Sequence, residues 1–412
     1  MSPVRPSNRA AAVFVVRCLR NAGFEALLAG GCVRDMLLKR RAKDYDVATS
    51  ARPVQILPIF RRTLEIGAKF GVVMVLVKQC QVEVATFRTE SGYADGRHPD
   101  QVRFSCAAED ASRRDFTVNG MFYDPIRRKV IDFVDGQQDL RRKILRTIGD
   151  PDRRFEEDYL RMLRAVRFTA HLGFALEPAA WAAITRNADK IARISGERIA
   201  AELEAILTNP ARAVGARLLV ESSLCAAVFP GLDPAGANRG VAVLSALRRR
   251  ISFPLALAAL FAEAPAESAL SQCEFLKLSR EHSRHLAWLL EHRGRLLDTR
   301  MGLAPLKRLI VSLYLRDLFD LQRAILRSQS LPQTPLNILQ RRIGALKGVD
   351  LAPKPLLNGH DILALGAAPG PMVGRIAEDL YVAQLSDQIH TPHQARQFVQ
   401  NWLDRNNSRK SS

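Results

Sequence analysis

Gly30-Gly31-Cys32-Val33-Arg34-Asp35, followed thirteen residues after Gly31 by Asp44-Tyr45-Asp46, decides how the head of this chain folds. An apolar run at 25–29 leads into the glycine pair and a helical pattern at 31–39 leads out of it, so the pair lies at a strand-to-helix turn. Two glycines there let the backbone come close to a ligand, and the free N–H groups at the helix start favour phosphate. Arg34, one turn in, can reach the same anion. Asp44 and Asp46 open the next apolar strand, at 44–48, where residues two apart project from one face. Carboxylates that close repel unless a cation neutralises them. Such an oxygen-rich pair suits Mg²⁺ and leaves coordination positions for phosphate oxygens.

Working outward, a ladder at 81–87 carries Glu83 among strand formers, a third carboxylate if that strand lies beside Asp44 and Asp46. Arg113-Arg114-Asp115-Phe116-Thr117-Val118-Asn119-Gly120-Met121 gathers two guanidinium groups, a carboxylate and an amide; Arg114 would suit a triphosphate, and Asp115 or Asn119 a ribose hydroxyl. Each fragment alone is commonplace, a loop cap or a junction with solvated arginines. Together a Gly-Gly turn and an acidic strand form a nucleotidyl-transfer arrangement.

From Glu157 to Phe168 the pattern is helical, with Asp158, Arg161, Arg164 and Arg167 every three residues. At about 100° per residue these four side chains wrap half of a helix. As a plain surface they would form i,i+3 ion pairs. As a reader of bases, Asp158 accepts from an exocyclic amino group while Arg161 donates to ring acceptors, imitating a Watson–Crick edge. Cytosine and adenine offer that amino group, which uracil and guanine lack at that edge. Arg164 and Arg167 would serve the triphosphate or the neck of the fold.

Across all 412 residues, 47% hydrophobic and 25% charged, the composition is that of a globular protein, and the length allows two to four domains. The longest apolar run, 253–262, is about half of a bilayer span, so no membrane partner is expected. Six scattered cysteines without metal-ligand spacing read as reduced core residues in a cytoplasmic protein. Sixty-one Lys and Arg against 42 Asp and Glu leave +19, enough to attract a polyanion. Strands are expected at 25–29, 44–48, 72–77, 81–87, 120–123 and 130–133, and helices at 10–21, 31–39 and 53–61. Amphipathic helices follow at 153–172, 178–192, Gly196–Leu207 and beyond.

These pieces are similar to those of class II tRNA nucleotidyltransferases, the CCA-adding branch of a polymerase β-like superfamily that also holds bacterial poly(A) polymerases. The resemblance runs in order through GGCVRD with DYD, RRDFTVNGM, GQQDLRRKILRTIGDP, EDYLRMLRAVRF and ISGERI. It implies an α+β fold, with a polymerase β-like head of mixed sheet and helices at 1–150. An all-α neck with the base-reading helix at 151–207, a body at 208–330 and an RNA-binding tail at 331–412 would follow. It further implies that Gly31 and Arg34 contact the nucleotide, that Asp44 and Asp46 bind Mg²⁺, and that Arg114 holds the nucleotide with Asp158, Arg161, Arg164 and Arg167. The implied reaction is attack by a tRNA 3′-hydroxyl on the α-phosphate of CTP or ATP.

Within that family, poly(A) polymerases usually carry a basic segment after the carboxylates, where residues 67–73 here read GAKFGVV, which favours tRNA. Residues 89–103, TESGYADGRHPDQVR, resemble the loop that enzymes adding the terminal A use when switching to ATP. Addition of CCA, of its terminal A alone, poly(A) synthesis on general RNA, and a non-catalytic RNA-binding relative are the readings open at this level. The body segment LAALFAE at 257–263 lacks the His-Asp pair of an appended phosphohydrolase. Gly359-His360-Asp361 and the glycine-rich 365–374 resemble a tail segment, read here as a tight interhelix turn in preference to a phosphate site.

Overall fold

The computed structural model describes residues 7–67, 71–91, 101–248 and 250–408. Residues 68–70, central to the comparison with poly(A) polymerases, lie outside these. So do residues 92–100 of the expected loop, Arg249 of the basic run 248–250, and the end of the polar stretch 406–412. The chain packs as two compact units. One runs up to Asn238 and includes Ser271–Leu278; the other takes Arg239–Leu270 and Ser279 onward. The divisions expected at 150, 207 and 330 fall inside these units.

The first unit holds a seven-stranded mixed sheet. Its strands are β1 (Ala26–Ala29), β2 (Asp46–Thr49), β3 (Thr63–Gly67), β4 (Val72–Val77), β5 (Cys80–Thr86), β8 (Phe122–Asp124) and β9 (Lys129–Ile131). The order is β3-β4-β5-β2-β1-β8-β9. A separate antiparallel ribbon joins β6 (Arg88–Ser91) to β7 (Gln101–Phe104), so the stems of the expected loop are paired strands. Strand β3 and the ribbon were not among the expected elements. The pairing of β2 with β5 is parallel, Val47 beside Val84 and Ala48 beside Ala85, while β1 pairs antiparallel with β2 and β8. Along β5 burial alternates, Val82 and Val84 inside and Gln81 and Glu83 outside, as the period-2 pattern dictates.

Helix α1 (Asn8–Asn21) covers the sheet with Ala11, Ala12, Val15, Val16 and Leu19, a spacing that gathers apolar groups on one face. Helix α2 (Gly31–Leu37) leaves the end of β1, α3 (Pro53–Ile56) follows β2, and α4 (Ala107–Ser112) precedes the RRDF segment. Leu27, Ala29, Ala48, Phe87, Ala107, Ala111 and Phe122 form a core beneath these helices. Helix α5 (Gly136–Arg142) begins where Gly136 lies against Thr117, an added Cβ falling 2.3 Å from the Thr117 carbonyl oxygen. That contact accounts for the glycine of GQQDL.

The single helix expected at 153–172 is two, α6 (Pro151–Glu157) and α7 (Leu160–Leu172). Asp158 lies between them in extended backbone, φ −158° and ψ 101°, and its Oδ1 accepts from the Leu160 N–H at 3.1 Å. The break corrects the three-residue repeat: only Arg161, Arg164 and Arg167 share a helix. Helix α8 (Pro178–Asn187) packs on α6, and α9 (Gly196–Leu207) packs on α7.

The second unit is helical. Its helix Phe253–Leu260 is buried all round, and Leu357, Ile362, Ile376, Leu380 and Val399 anchor a core near the end of the chain. At the Gly359 turn the Asn358 side chain caps the N–H groups of His360 and Asp361, while Asp361 accepts from the Asn358 N–H. The turn is a capping box, with its backbone donors already used. Among the described residues no helix is long and apolar enough to cross a membrane.

Candidate active site

A cleft of about 560 Å³ in the first unit is lined by the start of α2, the ends of β2 and β5, the RRDF segment, α7 and Arg198 of α9. Ten of the expected residues line it directly: Gly31, Arg34, Asp46, Glu83, Arg114, Asp115, Asn119, Asp158, Arg161 and Arg164. Asp44, exposed and close enough for its charge to act on Asp46, and Arg167 are not among the lining residues.

The acidic edge comes from strand register. Because β2 and β5 run parallel with Val47 beside Val84, the preceding residues Asp46 and Glu83 neighbour each other on the open face. Asp46 opens onto the cleft yet is enclosed by its walls. Enclosure first, then the charges of Glu83 and Asp44, push its carboxyl up to about 6, against the opposing pull of Arg114. Burial and the two neighbouring carboxylates outweigh the nearby Arg114. Among the described residues no group of three or more His, Cys, Asp or Glu side chains is arranged to hold a metal. A divalent ion here would therefore draw on Asp44 and Asp46 and take its other oxygens from water and ligand, the way Mg²⁺ is commonly held.

Beside this edge stands the glycine turn, which follows Ala29, the β1 partner of Asp46. Gly30, not Gly31, carries the conformational demand: its φ is 72° with ψ −136°, and an added Cβ would lie 3.0 Å from Arg114 Nη1. Gly31 has ordinary φ and begins α2. Arg114 is held from behind by Asp110, which also binds Arg113, at 3.0 and 2.7 Å. Burial would raise the Asp110 carboxyl, but Arg114 and then Arg113 outweigh it and hold it below its ordinary range.

A polar relay crosses the cleft floor. Arg34 Nη1 donates to Asn119 Oδ1 at 2.7 Å, and Asn119 Nδ2 donates to Asp115 Oδ1 at 3.0 Å. Asp115 Oδ2 accepts from Arg164 Nε at 2.9 Å and Nη2 at 2.5 Å. Burial opposes charge on Asp115, yet Arg164 and the Asn119 hydrogen bond bring its carboxyl down to about 2. Both Asp115 oxygens and both ends of the Asn119 amide are thus engaged within the chain, which alters the expectation that either presents a free group to a ribose. The polar residues of RRDFTVN orient arginines.

Asp158 and Arg161, the pair expected to read the base, are likewise braced. Arg198 Nη2 donates to Asp158 Oδ2 at 2.7 Å, and Arg161 Nη1 donates to Glu157 Oε2 at 2.5 Å and to the Arg154 carbonyl at 3.0 Å. Arg167 pairs with Glu202 at 3.0 Å, and burial raises the Glu202 carboxyl despite Arg167 and Arg164 beside it. Sequence reasoning assigned no role to Asp110, Phe168, Arg198 or Glu202. Arg198 lies within the ISGERI segment and Glu202 three residues beyond it, so the segment was noted but these side chains were not.

With the geometry in hand, comparison with known proteins is informative. The family model "Poly A polymerase head domain" matches residues 26–146, and the model "Probable RNA and SrmB- binding site of polymerase A" matches residues 173–235. A CCA-adding enzyme of Limosilactobacillus fermentum is 34% identical over 91% of this chain and 92% of its own length. Those of Geobacillus stearothermophilus and Lacticaseibacillus paracasei are 42% and 46% identical, but the chain spans only 58% and 54% of their length. The crystal structure of the Bacillus stearothermophilus CCA-adding enzyme in complex with CTP superimposes with a TM-score of 0.78 at 28% identity, covering 99% of this chain and 100% of that one. A Thermotoga maritima CCA-adding enzyme complexed with tRNA shares the fold, with a TM-score of 0.66 at 18% identity over 98% and 97% of the two chains.

Proposed function

The chain belongs to the family of CCA-adding enzymes, and from that premise we propose that it adds CCA to tRNA 3′ ends, without a template, from CTP and ATP. In each step the terminal RNA 3′-hydroxyl attacks the α-phosphorus in line, and the bond to the β-phosphate oxygen breaks as pyrophosphate leaves. The observation that carries this reading is the meeting, in one cleft, of an acidic strand edge, a glycine turn at a helix start and an arginine face. A protein that only bound RNA would gain nothing from crowded carboxylates facing a polyanion.

In this reading Asp44 and Asp46 hold Mg²⁺, which when bound would neutralise the acidic edge and lower the pKa of the attacking hydroxyl. Glu83, beside Asp46, completes that edge as a third catalytic carboxylate. The Gly31 N–H region, Arg34, Arg114, Arg164 and Arg167 balance the triphosphate charge, with Asp115 and Asn119 setting the arginines. Asp158 accepts from the exocyclic amino group of C or A while Arg161 donates to the ring, and Arg198 and Glu157 keep both side chains oriented before a base arrives. The substrate RNA follows the basic surplus by phosphate contacts. Head (1–150), neck (151–207), body (208–330) and tail (331–412) divide the work in a cytoplasmic enzyme.

The test supplies tRNA ending before CCA, after one C and after CC, with CTP and ATP separately and together. Two C additions followed by one A support the proposal; incorporation of A alone narrows it to terminal adenylation. Long A-tails on unrelated RNA would replace it with poly(A) synthesis. Asp44→Ala is expected to abolish incorporation while tRNA affinity, read by filter binding, stays near wild type. Turnover retained in that variant removes Asp44 from the chemistry.

A further inference from the structure

The ring of Phe168, on α7, lies among three guanidinium groups: the Arg34 carbon is 5.2 Å from its centroid, Arg164 5.4 Å and Arg167 4.6 Å. Three cations this close repel one another, and burial together with Arg164 and Arg34 disfavours charge on Arg167, against the pull of Glu202. Each arginine has a carboxylate partner, Asp35 for Arg34 at 2.8 Å, Asp115 for Arg164 at 2.5 Å and Glu202 for Arg167 at 3.0 Å. Carboxylates gather arginines at a cost, since each also repels an arriving phosphate. An aromatic face attracts cations through its quadrupole and adds no net negative charge. The ring is itself set by an edge contact with Phe116 of the RRDF segment, centroids 5.8 Å apart at 77°.

We propose that Phe168 is a positioning residue for the triphosphate: its ring holds Arg34 of α2 and Arg164 of α7 together on one side of the cleft, so that an incoming nucleotide meets a preformed pair of cations. The proposal rests on the reading of Arg34 and Arg164 as triphosphate ligands. The polar relay through Asn119 and Asp115 links the same two arginines by a second route. Loss of the ring therefore loosens their spacing without disconnecting them.

Steady-state kinetics on tRNA lacking CCA, with thermal unfolding measured alongside, test this in Phe168→Leu, Phe168→Tyr and Arg164→Ala. Phe168→Leu keeps an apolar side chain and removes the quadrupole. It is expected to raise KM for CTP and ATP in parallel by about tenfold, with kcat changed by less than about threefold and the preference for CTP over UTP intact. Calorimetric affinity for inorganic tripolyphosphate should fall by a similar factor. Phe168→Tyr, which keeps the ring, should restore KM and tripolyphosphate binding. Unchanged KM and tripolyphosphate affinity in Phe168→Leu, or a Tyr variant as impaired as the Leu variant, overturns the proposal. If Arg164→Ala raises KM while Phe168→Leu does not, the role of Phe168 alone falls; if Arg164→Ala also leaves KM unmoved, the triphosphate reading falls with it. Should Phe168→Leu melt below assay temperature, the tripolyphosphate affinity of Phe168→Tyr against wild type decides, a tenfold loss despite the retained ring counting against the proposal.

Discussion

At Gly30 a backbone with φ 72° and ψ −136° brings the chain around the end of β1 and presents the start of α2 to the cleft. No L side chain is comfortable there, and an added methyl would also press on Arg114. Gly30→Ala is expected to lose about 2 kcal/mol in urea unfolding and to raise KM for both nucleotides; an unchanged midpoint would mean that the turn relaxes without strain. Asp115 is decided by charge. Its carboxyl, held at about 2 by Arg164 and Asn119 against burial, lies below the unfolded value of about 4. The stabilisation is therefore complete above the ordinary carboxylate range and fades as pH falls from about 4 toward 2. Asp115→Asn, which leaves the partly exposed Arg164 only its longer pairing with Glu202 at 3.7 Å, should cost about 1–2 kcal/mol at pH 7. The gap in melting temperature from wild type should be flat between about pH 8 and 5 and narrow below about 4; a gap that widens on acidification would refute the pairing. Both residue types were legible in the sequence as chemistry-bearing. Their partners were not: Arg34 meets Asn119 and Asp115 meets Arg164 across long stretches of chain, and no local pattern encodes such contacts.

Elements were legible where their pattern is local and were missed where pairing or a cap decides. β4 emerged at its expected bounds because six consecutive apolar residues have nowhere else to go, and β5 because Val, Glu and Val alternate. The β6–β7 ribbon eluded the pattern because its strands are short and polar and depend on each other for hydrogen bonds. The break between α6 and α7 was missed for a different reason. Residues 153–172 satisfy helical periodicity throughout, and what stops the helix is the Asp158 carboxylate accepting from the Leu160 N–H while Arg198 draws it toward α9. That break takes Asp158 off the helix face and leaves it beside Arg161, the two side chains braced by Arg198 and Glu157. Replacing both with alanine is expected to reduce the preference for CTP and ATP over UTP and GTP by about tenfold or more, since each lost base contact is worth roughly 1–3 kcal/mol of discrimination. The check is competition between labelled nucleotides at equal concentration, and intact discrimination would defeat the idea that this pair imitates a base edge.

For the whole molecule, the surplus of 19 positive charges was evident from composition, and its consequence differs for the two proposed substrates. A nucleoside triphosphate meets a few cleft arginines, each fixed by a carboxylate or carbonyl partner, so few bound counterions need leave when it binds. A bound tRNA would set many phosphates against many lysines and arginines, and the release of condensed counterions would make its affinity steeply dependent on salt. Raising monovalent salt from 50 to 200 mM is therefore expected to weaken tRNA binding by about a hundredfold if five or so phosphates are neutralised. Over the same range KM for CTP, at saturating tRNA, should rise by less than about threefold. Fluorescence anisotropy of labelled tRNA and initial rates over a salt series measure the two slopes. Equal slopes would place the basic excess at the nucleotide site instead of along the RNA. A flat tRNA slope would mean that the surplus makes no contact with phosphate, and recognition of the acceptor end would then have to come from shape and the 2′-hydroxyls alone.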